Sequence, residues 1–170
     1  MLWYFWIYSF LGYLLEKVFA KATKSAQQGR KGFLALPLCP VYGLGMLAVL
    51  ALPEFWQEGW RLVLAGGLTT TAVEYAVHWG YDRFLGVRFW DYSAVFGNLR
   101  GRVCLPFSVA WGVLVWAAVT WVQPWVEVAA TRVPPEVTWL CLLAFTADAV
   151  CSTWLLRQGG DPEILRADVP

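Results

Sequence analysis

The chain has 170 residues, 59% of them apolar and 15% charged, with a mean hydropathy of +0.51; soluble domains carry about 45–50% apolar and about 25% charged residues. That balance excludes an ordinary water-soluble domain, and a formal net charge of +1 offers no electrostatic footprint for a nucleic acid. The four cysteines, Cys39, Cys104, Cys141 and Cys151, stand in no C-x-x-C or metal-ligand spacing, which argues against a zinc or disulfide framework.

A hydrocarbon core of about 30 Å takes about 20 apolar residues per helix, and the sequence offers five such runs bounded by charge, Gly or Pro. The first, Leu2 to Ala20, has no basic flank and no A-x-A site before Glu16, so it reads as a retained membrane helix rather than a cleaved signal. The second, Leu34 to Leu52, opens on "PLCPVYGLG", where Pro40 removes a backbone donor and frees a carbonyl to face a cavity. Leu62 to Tyr81 is the third and holds Glu74 and the only histidine, His78. Val103 to Val122 and Val137 to Leu156 complete the set. Aromatic residues make up 17% of the chain, with 12 Trp, and gather near the ends of these runs, where rings prefer the headgroup level.

The expected fold class is therefore all-α: a polytopic membrane protein, a bundle of about five transmembrane helices with an amphipathic or re-entrant cytoplasmic loop. Residues 1–157 are read as one transmembrane domain. Residues 158–170 are read as a short cytoplasmic tail, acidic and Pro-containing, with the composition of a disordered end. Lys17, Lys21, Lys24, Arg30 and Lys31 lie in the first loop, Arg83, Arg88, Arg100 and Arg102 in the third, and Arg157 and Arg166 in the tail; the opposite loops hold only Arg61 and Arg132. Because Lys and Arg accumulate on the cytoplasmic side, the expectation is a multi-pass cell-membrane protein with the N-terminus outside and the C-terminus inside. No internal repeat is evident, and an odd span count argues against a two-halves transporter.

With that orientation, Glu16, Glu74, His78 and Asp148 all fall toward the inner leaflet. A charge near the bilayer centre costs about 2.5–3.5 kcal/mol or more, so such residues normally face the bundle interior and find a partner. Gly67, Thr70, Thr71, Glu74 and His78 recur at helical steps on the third run, as do Tyr8, Ser9, Gly12 and Glu16 on the first and Cys141, Ala144, Asp148, Cys151 and Ser152 on the fifth. In "NLRGRVC", Arg100 and Arg102 flank Gly101 at the inner mouth of the fourth run and are the expected partners of the carboxylates. In "WDYS", Trp90 and Tyr92 suit the headgroup level, and Asp91 is placed to cap a short interfacial helix or pair with an arginine. Glu74 and His78 are too few for a metal site, and the pair reads either as a helix-register device or as a proton relay. Buried thiols here read as packing groups rather than nucleophiles.

The stretches "YSFLGYLLEK", "GFLALPLCPVYGLG", "EYAVHWGYDRFLG" and "WDYSAVFGNLRGRVCLPFSVAWG" resemble the bacterial integral membrane family labelled putative ABC-transporter type IV, or putative ABC transporter permease, over roughly residues 8 to 122. The resemblance implies that Glu16, Cys39, Pro40, Tyr42, Gly43, Glu74, Trp90, Asp91, Tyr92, Asn98, Gly101, Arg102 and Cys104 occupy signature positions. Two positions depart from it: Leu36 stands where glycine is expected before Pro37, and Asp82 where a second glutamate is expected, keeping the charge on a shorter reach. The chain contains no G-x-x-x-x-G-K-[ST] phosphate loop, so a permease role implies a separate nucleotide-binding or other membrane subunit.

The leading functional expectation is a small transport or permease-like protein of the bacterial inner membrane, with an inward-facing polar pocket of Glu16, Glu74, His78, Asp148, Arg100 and Arg102. Cys39, Pro40, Tyr42, Gly43, Trp90, Asp91, Tyr92, Asn98, Gly101 and Cys104 would shape the loop and pocket. No cofactor, metal or nucleic acid is expected; the partners are membrane lipids, and a homo-oligomer is left open. One alternative is an inner-leaflet enzyme acting on a lipid or prenyl group, although no H-E-x-x-H, G-x-S-x-G or Asp-rich diphosphate motif occurs. Another is a tryptophan-rich ligand-binding sensor, although "RVPPEVTWL" lacks the flanking aromatics of that class.

Overall fold

A computed structural model describes residues 1–23 and 32–159, and among the described residues the regular structure is entirely helical, apart from one isolated bridge between Leu99 and Val103. Helix α1 runs Leu2–Ala22, α2 Pro40–Leu50 and α3 Gly59–Gly80, with α3 continued by a π-turn over Tyr81–Leu85. Helices α4, Leu105–Ala117, and α5, Gln123–Thr131, are joined by a π-turn over Ala118–Val122 into one 27-residue rod, and α6 covers Pro135–Gly159. Lys24, Arg30, Lys31 and the tail from residue 160, including Arg166, lie outside the described residues.

Two of these rods, Leu105–Thr131 and Pro135–Gln158, are long and apolar enough to cross a membrane. Only 17% and 11% of their most apolar stretches are buried inside the protein, which separates them from the core helices of a water-soluble domain. At 21 and 22 residues, α1 and α3 have the length as well, but their tyrosines, tryptophans, threonines and charges dilute the apolar character.

The expected second run is where the architecture departs most from the sequence reading. Instead of a helix over Leu34 to Leu52, only the 11 residues of α2 are helical, roughly 16 Å of rise, and residues 32–39 form an irregular strap. Proline explains the boundary. The residue before a proline is pushed out of the helical region, and Cys39, ahead of Pro40, is extended at φ −113 and ψ 92; Pro37 acts in the same way on Leu36. Pro40 itself sits in the first turn, where its missing N–H has no helical partner to lose. The fourth run also extends further than Val122. Pro124 cannot donate to the preceding turn, and the five-residue π-turn immediately before it shifts the hydrogen-bond register so that the rod continues to Thr131.

The bundle closes where side chains are smallest. Gly66 and Gly67 of α3 meet Val115, Gly112 and Ser108 of α4, and a Cβ built on Gly112 would lie 2.5 Å from the Val63 carbonyl oxygen. On the other side, Gly43 of α2 abuts Ser9 and Phe5 of α1, and Gly12 of α1 lies under the Tyr42 ring. An apolar cluster of Tyr8, Met46, Val49, Leu62, Val115 and Val126 fills the end of the bundle away from the loop after α3. Helix α6 is attached laterally, through Trp3 Nε1 donating to Thr138 at 2.9 Å and through Phe145 against Phe5 and Trp6. The face expected on α6 is only partly the packed one: Asp148 and Ser152 turn inward, while Ala144 and Cys151 are exposed.

The α3–α4 contact makes a contrast between glycines measurable. Gly112→Leu forces a side chain against backbone that cannot yield cheaply and is expected to cost about 1–3 kcal/mol. Gly80→Ala, with no neighbouring atom within 4 Å and a helical backbone, is expected to be neutral or stabilising. Thermal unfolding in detergent compares the two; equal midpoints would remove the close-packed seam.

Candidate functional site

The packed face of α3 is Leu62, Gly66, Gly67, Thr70, Glu74 and His78, so Glu74 and His78 are carried inward by the same periodicity that seats the glycines against α4. Glu74 is 1% exposed and His78 3%. A carboxylate at that burial must find donors. Tyr92, from the loop between α3 and α4, donates its hydroxyl to one Glu74 oxygen at 3.1 Å, and Trp111 of α4 donates its indole N–H to the other at 2.8 Å. The Trp111 ring lies 4.8 Å from that of Tyr42, whose hydroxyl donates to Glu16 at 2.7 Å. Four elements, α1, α2, α3 and α4, thus meet around two carboxylates and an alternating set of aromatic donors.

His78 is held differently. Its Nε2 lies 2.9 Å from the Trp90 carbonyl oxygen; a carbonyl only accepts, so Nε2 carries the hydrogen and, in the neutral ring, Nδ1 keeps a lone pair. Nδ1 is buried with no hydrogen-bond partner among the described residues. The Trp90 ring stands edge-on to the imidazole at 5.0 Å, and its own N–H donates to the Arg102 carbonyl at 2.9 Å.

The loop over residues 86–104 is built to hold these groups. Asn98 donates to the carbonyls of Ser93 and Val95, both at 3.0 Å, and accepts from the Gly101 amide at 3.2 Å. Asp91 caps the Ser93 amide at 2.8 Å, and hydrogen bonds from Ser93 hold its carboxyl below the usual carboxylate range. Gly101 has φ +69, and a Cβ there would stand 2.5 Å from an Asp91 oxygen, so glycine answers both the backbone and the space. Its carbonyl receives the Tyr92 amide at 2.7 Å. Cys104 is buried at the start of α4.

Arginine placement corrects the sequence reading. Among the described residues no ion pair joins Arg100 or Arg102 to Glu16, Glu74 or Asp148. Arg102 instead bonds Asp82 at 3.0 Å and the Tyr75 hydroxyl at 3.1 Å, while Arg88 takes the other Asp82 oxygen at 3.0 Å. Arg100 is exposed, with φ 56, and makes no ion pair among the described residues. Geometry explains the exchange: Asp82 sits on the π-turn beside the loop, whereas Glu74 lies two turns deeper and is reached by the longer aromatic side chains. Glu74 and His78, one turn apart, are not bonded to each other; each is tied to a different part of the loop.

Asp148 belongs to a separate arrangement. From the middle of α6 it accepts the backbone amides of Ala35 at 3.1 Å and Leu36 at 2.8 Å and the Ser152 hydroxyl at 3.0 Å. The strap is fixed further by the Cys39 amide on the Ser9 carbonyl at 2.8 Å and by Phe33 stacked on Tyr81 at 5.4 Å. The expected set of six is thus divided: Glu16, Glu74 and His78 gather under the loop, Arg102 anchors the loop through Asp82, Arg100 lies outside, and Asp148 holds the strap. Trp111, Tyr75 and Asp82 take parts that the sequence reading did not assign. Ser108, Trp111, Gly112 and Val115 at helical steps were the available sign that a bulky donor shares the small face of α4.

A protein-family model described as putative ABC-transporter type IV matches residues 3–154. No curated protein and no solved structure matches the chain.

Two measurements test the local geometry. Asp148→Ala is expected to raise hydrogen exchange of the peptide spanning residues 33–39 by tenfold or so, the equivalent of about 1.4 kcal/mol, with α3 and α4 unaffected; unchanged exchange would mean that the two amides do not depend on Asp148. The Arg88 and Arg102 hydrogen bonds lower the Asp82 carboxyl below its ordinary value, so its contribution is present above about pH 3.9 and is lost as pH falls through the lower folded value. Loop cleavage by an acid-active protease, normalised at each pH to an unstructured reference peptide, should therefore rise modestly toward the acid end in the wild type and lose that pH dependence in Asp82→Asn.

Proposed function

Because this chain belongs to the putative ABC-transporter type IV family, which makes it a transport-related membrane protein, we propose that its transport site is the buried cluster at Glu74 and His78. In this reading residues 1–157 form one transmembrane domain with the N-terminus outside and the C-terminus in the cytoplasm. The strap and α2 together make a broken second span, and the 86–104 loop covers the site from the inside. The observation that carries the reading is the His78 ring. It is 3% exposed, its hydrogen is committed to the Trp90 carbonyl, and its Nδ1 lone pair has no partner among the described residues. A buried polar atom left in this state calls for a ligand, a proton or a water.

The chemistry on offer is that of an acceptor. Nδ1 can take a proton or a hydrogen bond from a cationic or N–H-bearing group, and the Glu74 carboxylate one turn away supplies the matching charge. Broken spans place irregular backbone at membrane depth only where protein or water lines it, and transporters use such breaks beside their substrate sites. Here the break falls at Cys39 and Pro40, two residues before Tyr42, which links Glu16 to the Trp111–Glu74 pair. In the inner-leaflet enzyme reading a phosphate would fall to Arg100, since Arg102 is committed to Asp82. In this reading a separate nucleotide-binding subunit supplies any nucleotide-driven step, because no phosphate loop occurs in residues 1–170.

Thermal-shift titration of purified protein with a panel of metal cations, amines and carboxylates tests the site. A cation or amine is expected to raise the midpoint, by an amount equivalent to about 2.7 kcal/mol at a hundredfold excess over Kd, and Glu74→Gln and His78→Gln are expected to abolish that gain while remaining folded. Stabilisation by carboxylates alone, or gains that survive both substitutions, would refute the assignment.

A further inference from the structure

The tip of the 86–104 loop presents a surface that the transport site does not use. Its polar groups are spent internally: Asn98 bonds three backbone groups, the Leu99 amide donates to Val103 at 2.9 Å and the Leu105 amide to Gly97 at 3.3 Å. What remains facing outward is apolar or cationic. Phe96 is 79% exposed and Leu99 57%, and next to them Arg100 is exposed in a left-handed conformation, φ 56, that non-glycine residues seldom adopt. The apolar surface does not end at the tip. Gly97 packs against Leu105, and Leu105, Val109 and Val113, at four-residue steps on α4, are all more than half exposed. Through the Gly97–Leu105 approach the tip adjoins this exposed stripe on the side of a helix long and apolar enough to cross a membrane.

We propose that this tip is a lipid-binding site for anionic phospholipid of the inner leaflet, with Phe96 and Leu99 seated among the acyl chains and Arg100 on the headgroup phosphate. Continuity with the α4 stripe is what selects lipid over a soluble protein: a partner covering Phe96 and Leu99 would meet bilayer at Leu105. Aromatic side chains favour the headgroup boundary, an arginine beside them extends its guanidinium to the phosphates, and anionic surfaces attract such charges. A tip already ordered by its own hydrogen bonds loses little freedom on inserting. The assignment rests on the inward placement of the loop, and it is independent of what occupies the site at Glu74.

The test replaces Phe96 with the photoreactive p-benzoyl-phenylalanine. Val109→p-benzoyl-phenylalanine serves as the lipid-facing reference, and both are irradiated in cells and in vesicles of phosphatidylcholine with or without phosphatidylglycerol. Phospholipid adducts are expected at Phe96 in both settings, enriched in phosphatidylglycerol, and Arg100→Gln is expected to reduce that enrichment about fivefold, the equivalent of about 1 kcal/mol per surface arginine. A protein adduct or a second copy of this chain captured at Phe96, or no adduct there while Val109 gives one, overturns the site. Enrichment unchanged in Arg100→Gln overturns the role of the guanidinium. A reporter fused after Pro170 and active on one side only reads the placement of the inner face separately, so an error in orientation is told apart from an error in lipid binding.

Discussion

Burying the Glu74 carboxylate is the constraint around which the half of this molecule under the 86–104 loop is arranged. At 1% exposure the group can persist only where donors reach it, and α3 cannot supply them, because its own amides are committed to the helix. The donors come from a loop tyrosine and an α4 tryptophan, so one side chain fixes the position of two other elements. The remainder of the loop can be read as the means of presenting Tyr92 and Trp90 at the right height. Asn98 and Asp91 replace the hydrogen bonds that a helix or sheet would have provided, and Gly101 admits the sharp return that brings its carbonyl to the Tyr92 amide. Arg102 closes the loop onto α3 through Asp82 and Tyr75.

A second carboxylate solves a backbone problem. Proline at 37 and 40 denies residues 32–39 a helix, and irregular backbone beside apolar helices leaves amides to be satisfied. Asp148 takes two of them and the Ser9 carbonyl a third. The two acids therefore do opposite jobs. Glu74 is a buried charge for which the protein supplies donors; Asp148 is an acceptor supplied to donors that the chain could not pair internally. Side-chain type alone does not separate these cases.

That difference shows what the sequence could convey. Helical periodicity identified the α3 face through Gly67, Thr70, Glu74 and His78, because burial and spacing are both one-dimensional properties of a helix. It placed Tyr8, Ser9 and Gly12 correctly on α1 for the same reason. The pairing of Arg102 with Asp82 was not legible, since it depends on the π-turn that carries Asp82 back toward the loop, and π-turns have no residue signature comparable to a cap. The extent of α2 is half legible: Pro40 removes a donor, but an apolar run from Leu34 looks the same whether its first residues are helical or extended. On α6, Ala144 and Cys151 matched the small-residue pattern and still face outward. The pattern identifies residues that permit close packing, whereas only a neighbour decides whether packing occurs, and α6 meets the bundle through Trp3, Phe5, Trp6 and the strap instead.

The distribution of cations follows from the same reasoning about cost. A guanidinium brought to the depth of Glu74 would add its own desolvation to that of the carboxylate, and ion pairs in such surroundings frequently fail to recover it. Aromatic hydroxyl and indole donors carry no charge to desolvate, and their ring bodies fill the apolar space on the way. Arginine is therefore stationed on the π-turn and loop, where Arg88 and Arg102 share Asp82 near the surface and Arg100 remains available outside. The shorter reach of aspartate at position 82 fits this arrangement: the carboxylate stays beside α3 within range of both arginines, and the loop is drawn in toward the helix end that presents His78 to the Trp90 carbonyl. Charge at the rim and neutral donors in the interior let the site remain buried without filling the imidazole nitrogen that faces inward.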